Sequence, residues 1–156
     1  MSLAPRIEDQ NKALIRRWFE EVWNQGREEV IDELRAPDTV ATGLGEGNQE
    51  SRGHAPFRIF YANLLGTYPD LHVTICDMIA EGDKVGVRIT LEGTHIGDVL
   101  APATGRKVKF SGIVIARIAD GKIAEAWNNL DQLGMLKQIG AIPAGAGPDR
   151  FLTERP

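Results

Sequence analysis

Two hydrophobic periods divide the chain. Up to about residue 66, apolar residues recur at helical spacing; between residues 71 and 130 they alternate. Leu14, Ile15, Trp18, Phe19, Val22 and Trp23 repeat at offsets 0, 1, 4, 5, 8 and 9. That predicts one amphipathic helix over residues 8–24, ended at Asn24-Gln25-Gly26. A second helix is expected over 27–35, stopped by Ala36-Pro37, and a brief strand over Thr39–Thr42. Gly43–Asn48 reads as a loop. Phe57, Phe60, Tyr61, Leu64 and Leu65 then mark a third helix, from Ser51 or Gly53 to about Leu65.

The second half reads as strands. Leu71, Val73 and Ile75 open one that continues to Ala80, and Glu81–Lys84 is a hairpin turn. Val85, Val87, Ile89 and Leu91 return. Gly97–Gly105 is a loop. Lys107–Ile118 carries apolar residues on both faces, which predicts a central strand buried on two sides. Asp120-Gly121 is a hairpin signal, and Ile123–Leu130 the returning strand. A last helix is expected from about Asp131 to Ile139. Helices first and strands later make an α+β pattern, with helices packed on a curved antiparallel sheet. Such a sheet forms a cone with an open mouth, a favoured ligand site.

Size and charge narrow the functional classes. The 156 residues predict one domain, with an ordered core over about 8–142 and a looser tail over 143–156. The net charge of −4, without a long basic block, argues against nucleic acid as a partner. No apolar run approaches membrane-spanning length and no signal-like segment opens the chain, so no membrane association is expected. Cys76 is the only cysteine, which excludes an intrachain disulfide and fits a reducing cytoplasm. It reads as a small buried hydrophobe. His54, His72 and His95 show no metal-ligand spacing, so no metal is assigned.

The candidate chemistry gathers at the end of the last strand. A carboxylate closing an apolar strand is costly unless paired or used, and apolar surroundings suit such a group to proton transfer near neutral pH. Asp131 is that residue. It is equally a helix N-cap, since Asp-x-x-Gly precedes Met135-Leu136. Strand parity puts Glu125, Trp127, Asn129 and Asp131 on one face. A turn centred on Asp120-Gly121 would set them beside Phe110, Gly112, Val114 and Ala116. Trp127 is then a stacking wall or plain core, and Asn129 an oxygen-binding group or a polar edge. Tyr61 lies on a core stripe, with a hydroxyl that could reach the cavity. His54 reads as structural or surface polar and His95 as a rim, cavity or turn residue; both, with Phe110 and Arg88, join Trp127, Asn129 and Tyr61 as candidate substrate contacts. Asp77 and Arg88 fall nearly opposite each other across the Gly82-Asp83 turn. They form either a cross-strand ion pair or, with Asp131, the acid–arginine–acid set of an epoxide hydrolase.

Four segments together carry a family resemblance: Gly53–Phe57; Tyr68–Leu71 running into Ile79–Val85; Gly93–Gly97; and Asp120–Ile123 through Trp127, Asp131 and Leu133-Gly134. In this order the chain resembles the SnoaL-like polyketide cyclases of the nuclear transport factor 2-like superfamily. The resemblance implies a cone-shaped α+β barrel with a hydrophobic cavity, and a homodimer through the open sheet face. It implies an acid/base aspartate, at Asp131, for an intramolecular aldol closure of a small hydrophobic carbonyl substrate without cofactor or metal. The superfamily also holds isomerases, epoxide hydrolases and non-catalytic binding proteins, and the fold alone does not choose among them.

Overall fold

The aromatic stripe of the first helix does not stay α-helical. The computed structural model describes residues 3–154, and its first helix, α1, runs Ile7–Arg17 before widening into a π-helix over Trp18–Asn24. The Gln25 N–H reaches back five residues to the Glu20 carbonyl. Trp18, Phe19, Val22 and Trp23 are all buried there, so the wider turn gives up regular hydrogen bonding but seats four large side chains. π-Segments of this kind recur at functional sites.

The expected second helix is shorter than its spacing suggested. α2 covers only Val30–Leu34, and Arg35 already begins β1, Arg35–Thr42. Pro37 disfavours helix for the residue before it, which explains the early end. A three-residue strand that the sequence did not announce, β2 (Glu50–Arg52), precedes α3 (His54–Thr67). β3 (His72–Glu81), β4 (Lys84–Thr94), β5 (Lys107–Ala119) and β6 (Lys122–Leu130) form the expected meander, and α4 (Gln132–Gln138) follows.

The sheet has six strands in the order β2-β1-β6-β5-β4-β3. β1 lies parallel to β6, so the sheet is mixed rather than wholly antiparallel. It is curved and not closed: β2 and β3 are its free edges. The helices cover one face and enclose a core built from Ile15, Val22, Ile31, Leu34, Phe57, Val85, Val87, Ile89 and Val114.

The other face of the sheet is left open. Ile113 and Ile115 are exposed, which corrects the expectation of two-sided burial for β5. That strand is central by pairing, but only its helix side is covered in the single chain. Cys76 is also exposed, against the buried role expected of it. It falls at an irregularity between Ile75 and Asp77 that breaks the strand's alternation.

One further irregularity reverses an inference from parity. Ala119 pairs Lys122 and Ile118 pairs Ile123, but Arg117 then pairs Glu125, leaving Ala124 as the extra residue of a β-bulge. Beyond the bulge, Trp127 stands opposite Ile115 and Asn129 opposite Ile113. Glu125, Trp127 and Asn129 do share a face, but it is the open one. Ala126, Asn128 and Leu130 face the helices instead. A one-residue slip of this sort exchanges the two faces of a strand.

Candidate functional site

Between the helices and the sheet lie two adjacent apolar chambers. The inner chamber, of about 70 Å³, is walled by Trp18, Phe19, Trp23, Phe57, Ala116 and Ala126 among others. The outer chamber, of about 330 Å³, lies between α3, α4 and the Gly43–Asn48 and Gly97–Gly105 loops. Leu44, Phe60, Leu64 and Leu130 belong to both walls, so the chambers are neighbours. Ala116 and Ala126 are direct cross-strand partners, so two small side chains meet where larger ones would fill the inner chamber. Gly112 makes room for a different reason: a Cβ there would strike the Leu130 side chain, so its space is already occupied.

Polar groups in this wall are few. Asn128 lines the inner chamber, and its Nδ2 donates to the Thr42 carbonyl at 3.0 Å. That bond ties the parallel β1–β6 pair and leaves the amide oxygen as the side chain's unengaged end. Arg35 is the other. It is 2% exposed, lines the inner chamber, and stacks its guanidinium 4.0 Å from the Phe57 ring centre and 5.9 Å from that of Trp18. Among the described residues its Nη1 has no hydrogen-bond partner. Burial pulls its pKa down to about 10, with no carboxylate opposing the shift, so it keeps its charge at neutral pH. Stacking on a desolvated aromatic face returns about 2 kcal/mol or more. Burying an ion costs several kcal/mol even after relaxation. The aromatic faces offset part of that cost, and no carboxylate shares in the offset.

Sequence reasoning missed both residues. Arg35 had a visible signal: Ile31, Leu34 and Arg35 share one helical face, so a charge falls on a buried stripe. Asn128 was passed over for its neighbour because the bulge at Ala124 leaves no mark in the alternation.

The residues singled out from sequence are scattered. Asp131 is exposed and caps α4: its Oδ1 accepts the Gly134 N–H at 2.9 Å. It stands between Leu130 and Gln132, which both line the outer chamber, but is not itself in the wall. Phe110 is buried and lines the outer chamber. Trp127 and Asn129 lie on the open face, outside both chambers. Tyr61 is buried beside Trp23 and Phe57, and its hydroxyl donates to the Val22 carbonyl at 2.9 Å rather than reaching the cavity. Burial raises its pKa, with Glu28 and Glu29 adding to the effect.

The histidines serve the frame. His54 bridges the Asp32 carboxylate (2.7 Å) and the Ala36 carbonyl (2.9 Å), locking α3 to α2 and β1. His95 is fully buried, and its Nδ1 accepts the Thr104 N–H at 3.3 Å, pinning the 97–105 loop. Arg88 stands opposite Asp77 in the strand register, as expected, but among the described residues the two form no ion pair, and both are exposed on the open face. The acid–arginine–acid set that an epoxide hydrolase requires is therefore not assembled from Asp77, Arg88 and Asp131. Among the described residues, no cluster of three potential metal ligands occurs.

An open, curved α+β sheet closed by helices around an apolar cavity defines a class of small-molecule-binding folds. Within that class, the chain belongs to the SnoaL-like polyketide cyclase family, whose profile matches residues 13–139. It is 30% identical over 129 residues to the aklanonic acid methyl ester cyclase DnrD of Streptomyces peucetius, covering 81% of this chain and 88% of that one. A solved structure from Jannaschia sp. CCS1, described as a candidate SnoaL-like polyketide cyclase, superposes with a TM-score of 0.80 at 29% identity, covering 92% of this chain and 100% of the other. AclR from Streptomyces galilaeus, described as a candidate hydroxylase, follows at 0.78 and 27%, covering 93% and 88%. The same frame is thus associated with more than one reaction.

Proposed function

We propose that the chain is a cofactor-free cyclase that closes a ring in a small hydrophobic carbonyl compound, with Asp131 moving the proton. The observation that carries this reading is the apolar cavity, with the exposed Asp131 carboxylate set between Leu130 and Gln132 of the outer wall; among the described residues, Glu46 is the carboxylate residue that lines that wall itself. The carboxylate takes a proton from the carbon beside one carbonyl. The resulting enolate carbon attacks a second carbonyl of the same molecule, and Asp131 returns the proton to the new alkoxide. The reaction is an isomerisation and consumes nothing else. A substrate seated in the outer chamber would cover Asp131 and remove its water, which strengthens a base that solvent otherwise weakens.

The relative's name supplies the first compound to try. Aklanonic acid methyl ester, incubated with the protein alone, is expected to cyclise, and Asp131→Asn to lower turnover at least ~100-fold, a typical general-base contribution. Full turnover in that variant would end the proposal.

A second reading has an observation of its own. Asp131 lies outside the chamber walls, and among the described residues Arg35 and Asn128 are the non-aromatic polar side chains of the inner wall. A protein that holds a hydrophobic metabolite without changing it needs no more than this. Recovery of the bound compound unchanged after prolonged incubation would favour binding over catalysis.

The open face supports a homodimer. Across the sheet, Ile79 pairs Gly86, Gly86 pairs Ile115, and Ile115 pairs Trp127. This row places an apolar stripe over four strands, with Ile79 73% and Ile115 42% exposed. Contiguous exposed apolar surface of this kind is the usual mark of an interface.

A further inference from the structure

We propose that Arg35 is an anion-recognition residue at the inner end of the cavity, and that the ligand is an apolar molecule entering with an anionic oxygen, a carboxylate or enolate, foremost. Arg35 lies in the wall of the inner chamber and not of the outer one, so the charged end goes deep and the apolar body fills the outer chamber. This deepens the cyclase reading by specifying its substrate class, but it rests on the cavity rather than on Asp131 and holds equally for a binding protein.

Three features place the acceptor. Arg35 is almost wholly buried, so bulk water does not solvate it. Its Nη1 is unpartnered among the described residues. Its guanidinium lies 4.0 Å from the Phe57 ring centre and 5.9 Å from that of Trp18, rings that accept no conventional hydrogen bond. A planar fork of donors held by aromatic stacking matches an anionic oxygen pair in geometry and charge. The Asn128 amide in the same wall can contribute a second polar contact.

The test uses three unreactive probes of similar shape: 2-naphthoate, methyl 2-naphthoate and 2-ethylnaphthalene. Affinities are read at pH 7 by calorimetry and by quenching of tryptophan fluorescence, since Trp18 and Trp23 line the chamber. The acid is expected to bind the wild type ~10- to 100-fold more tightly than the hydrocarbon, the ratio that a charge-assisted hydrogen bond sustains, with the ester between them. Arg35→Met should abolish that preference while leaving the hydrocarbon's affinity within ~3-fold, as a loss confined to the charged contact requires. Equal affinities for acid and hydrocarbon in the wild type would overturn the proposal. So would an unchanged preference in Arg35→Met, or failure of the acid to bind at ~5 mM, well below the tightness that charge pairing implies. Should Arg35→Met not fold, Arg35→Gln and the acid-induced rise in Tm of the wild type decide the same question. Asp131→Asn is expected to keep the full preference for the acid. Loss of turnover with retained binding, or the reverse, therefore separates the two proposals.

Discussion

Asp131 Oδ1 accepts the Gly134 N–H at 2.9 Å, so the residue assigned to proton transfer also starts the last helix. The two roles respond differently to substitution. Asparagine keeps an acceptor oxygen at the cap and loses only the proposed acid/base role; alanine loses both. Asp131→Asn is expected to melt within about 2 °C of the wild type, whereas Asp131→Ala should lose about 1 kcal/mol, the usual worth of an N-cap. Thermal unfolding of the pair checks this. Equal losses in both variants would show that the cap is not what stabilises α4.

Removing the buried charge should not weaken the fold. Arg35→Met replaces a buried guanidinium with an apolar chain of comparable length, and such exchanges range from neutral to about 4 kcal/mol stabilising. The folded-state pKa of Arg35, about 10, lies below its ordinary value. Folding therefore disfavours the charged form, and the penalty is fully present below pH 10 and fades as pH rises from there toward the ordinary arginine range. Between pH 6 and 9 the gain in Arg35→Met is expected to be constant. Urea titrations at those two pH values measure it, and a marked loss of stability in the variant would mean that Arg35 is needed for packing.

Filling the inner chamber should separate binding from folding. Ala116→Leu projects a branched chain toward Ala126, its cross-strand partner, into a space of about 70 Å³. Overpacking typically costs about 1–3 kcal/mol. The expected result is a folded protein in which 2-naphthoate binds at least ~10-fold more weakly, equivalent to 1.4 kcal/mol. Undiminished binding would place the ligand elsewhere.

Acid should loosen the contact between α2 and α3 first. Asp32 is held below its ordinary pKa of 3.8, chiefly by the Arg58 hydrogen bond and then by His54. A depressed carboxyl stabilises the fold above its unfolded value and loses that contribution as pH falls through the lowered, folded one. The effect lies below pH 3.8, where Asp32 takes up its proton. Since Asp32 is exposed, it is a modest one. Asp32→Asn should flatten the acid limb of the Tm–pH curve and leave its neutral plateau nearly level. An unaltered acid limb would assign acid sensitivity to another carboxylate.

Charge on the open face should dissolve a dimer without touching the cavity. Ile115→Lys places an ammonium in the row Ile79–Gly86–Ile115–Trp127. Light scattering is expected to find a dimer for the wild type and a monomer for the variant, with unchanged affinity for 2-naphthoate. A monomeric wild type would refute the interface.

The sequence by itself determined where helices give way to strands, because apolar period is a local property. It located the Gly82-Asp83 and Asp120-Gly121 turns, whose residues tolerate the conformations required. Four ordered motifs also carried the family. Only the tertiary structure decided which face of β6 meets the cavity, since one bulged residue at Ala124 exchanges Asn129 for Asn128 without disturbing the composition of the strand. Only it paired β1 in parallel with β6, a contact between segments more than eighty residues apart. And only it buried Arg35 against Phe57, because whether a charge at a helix end reaches solvent depends on what folds over it.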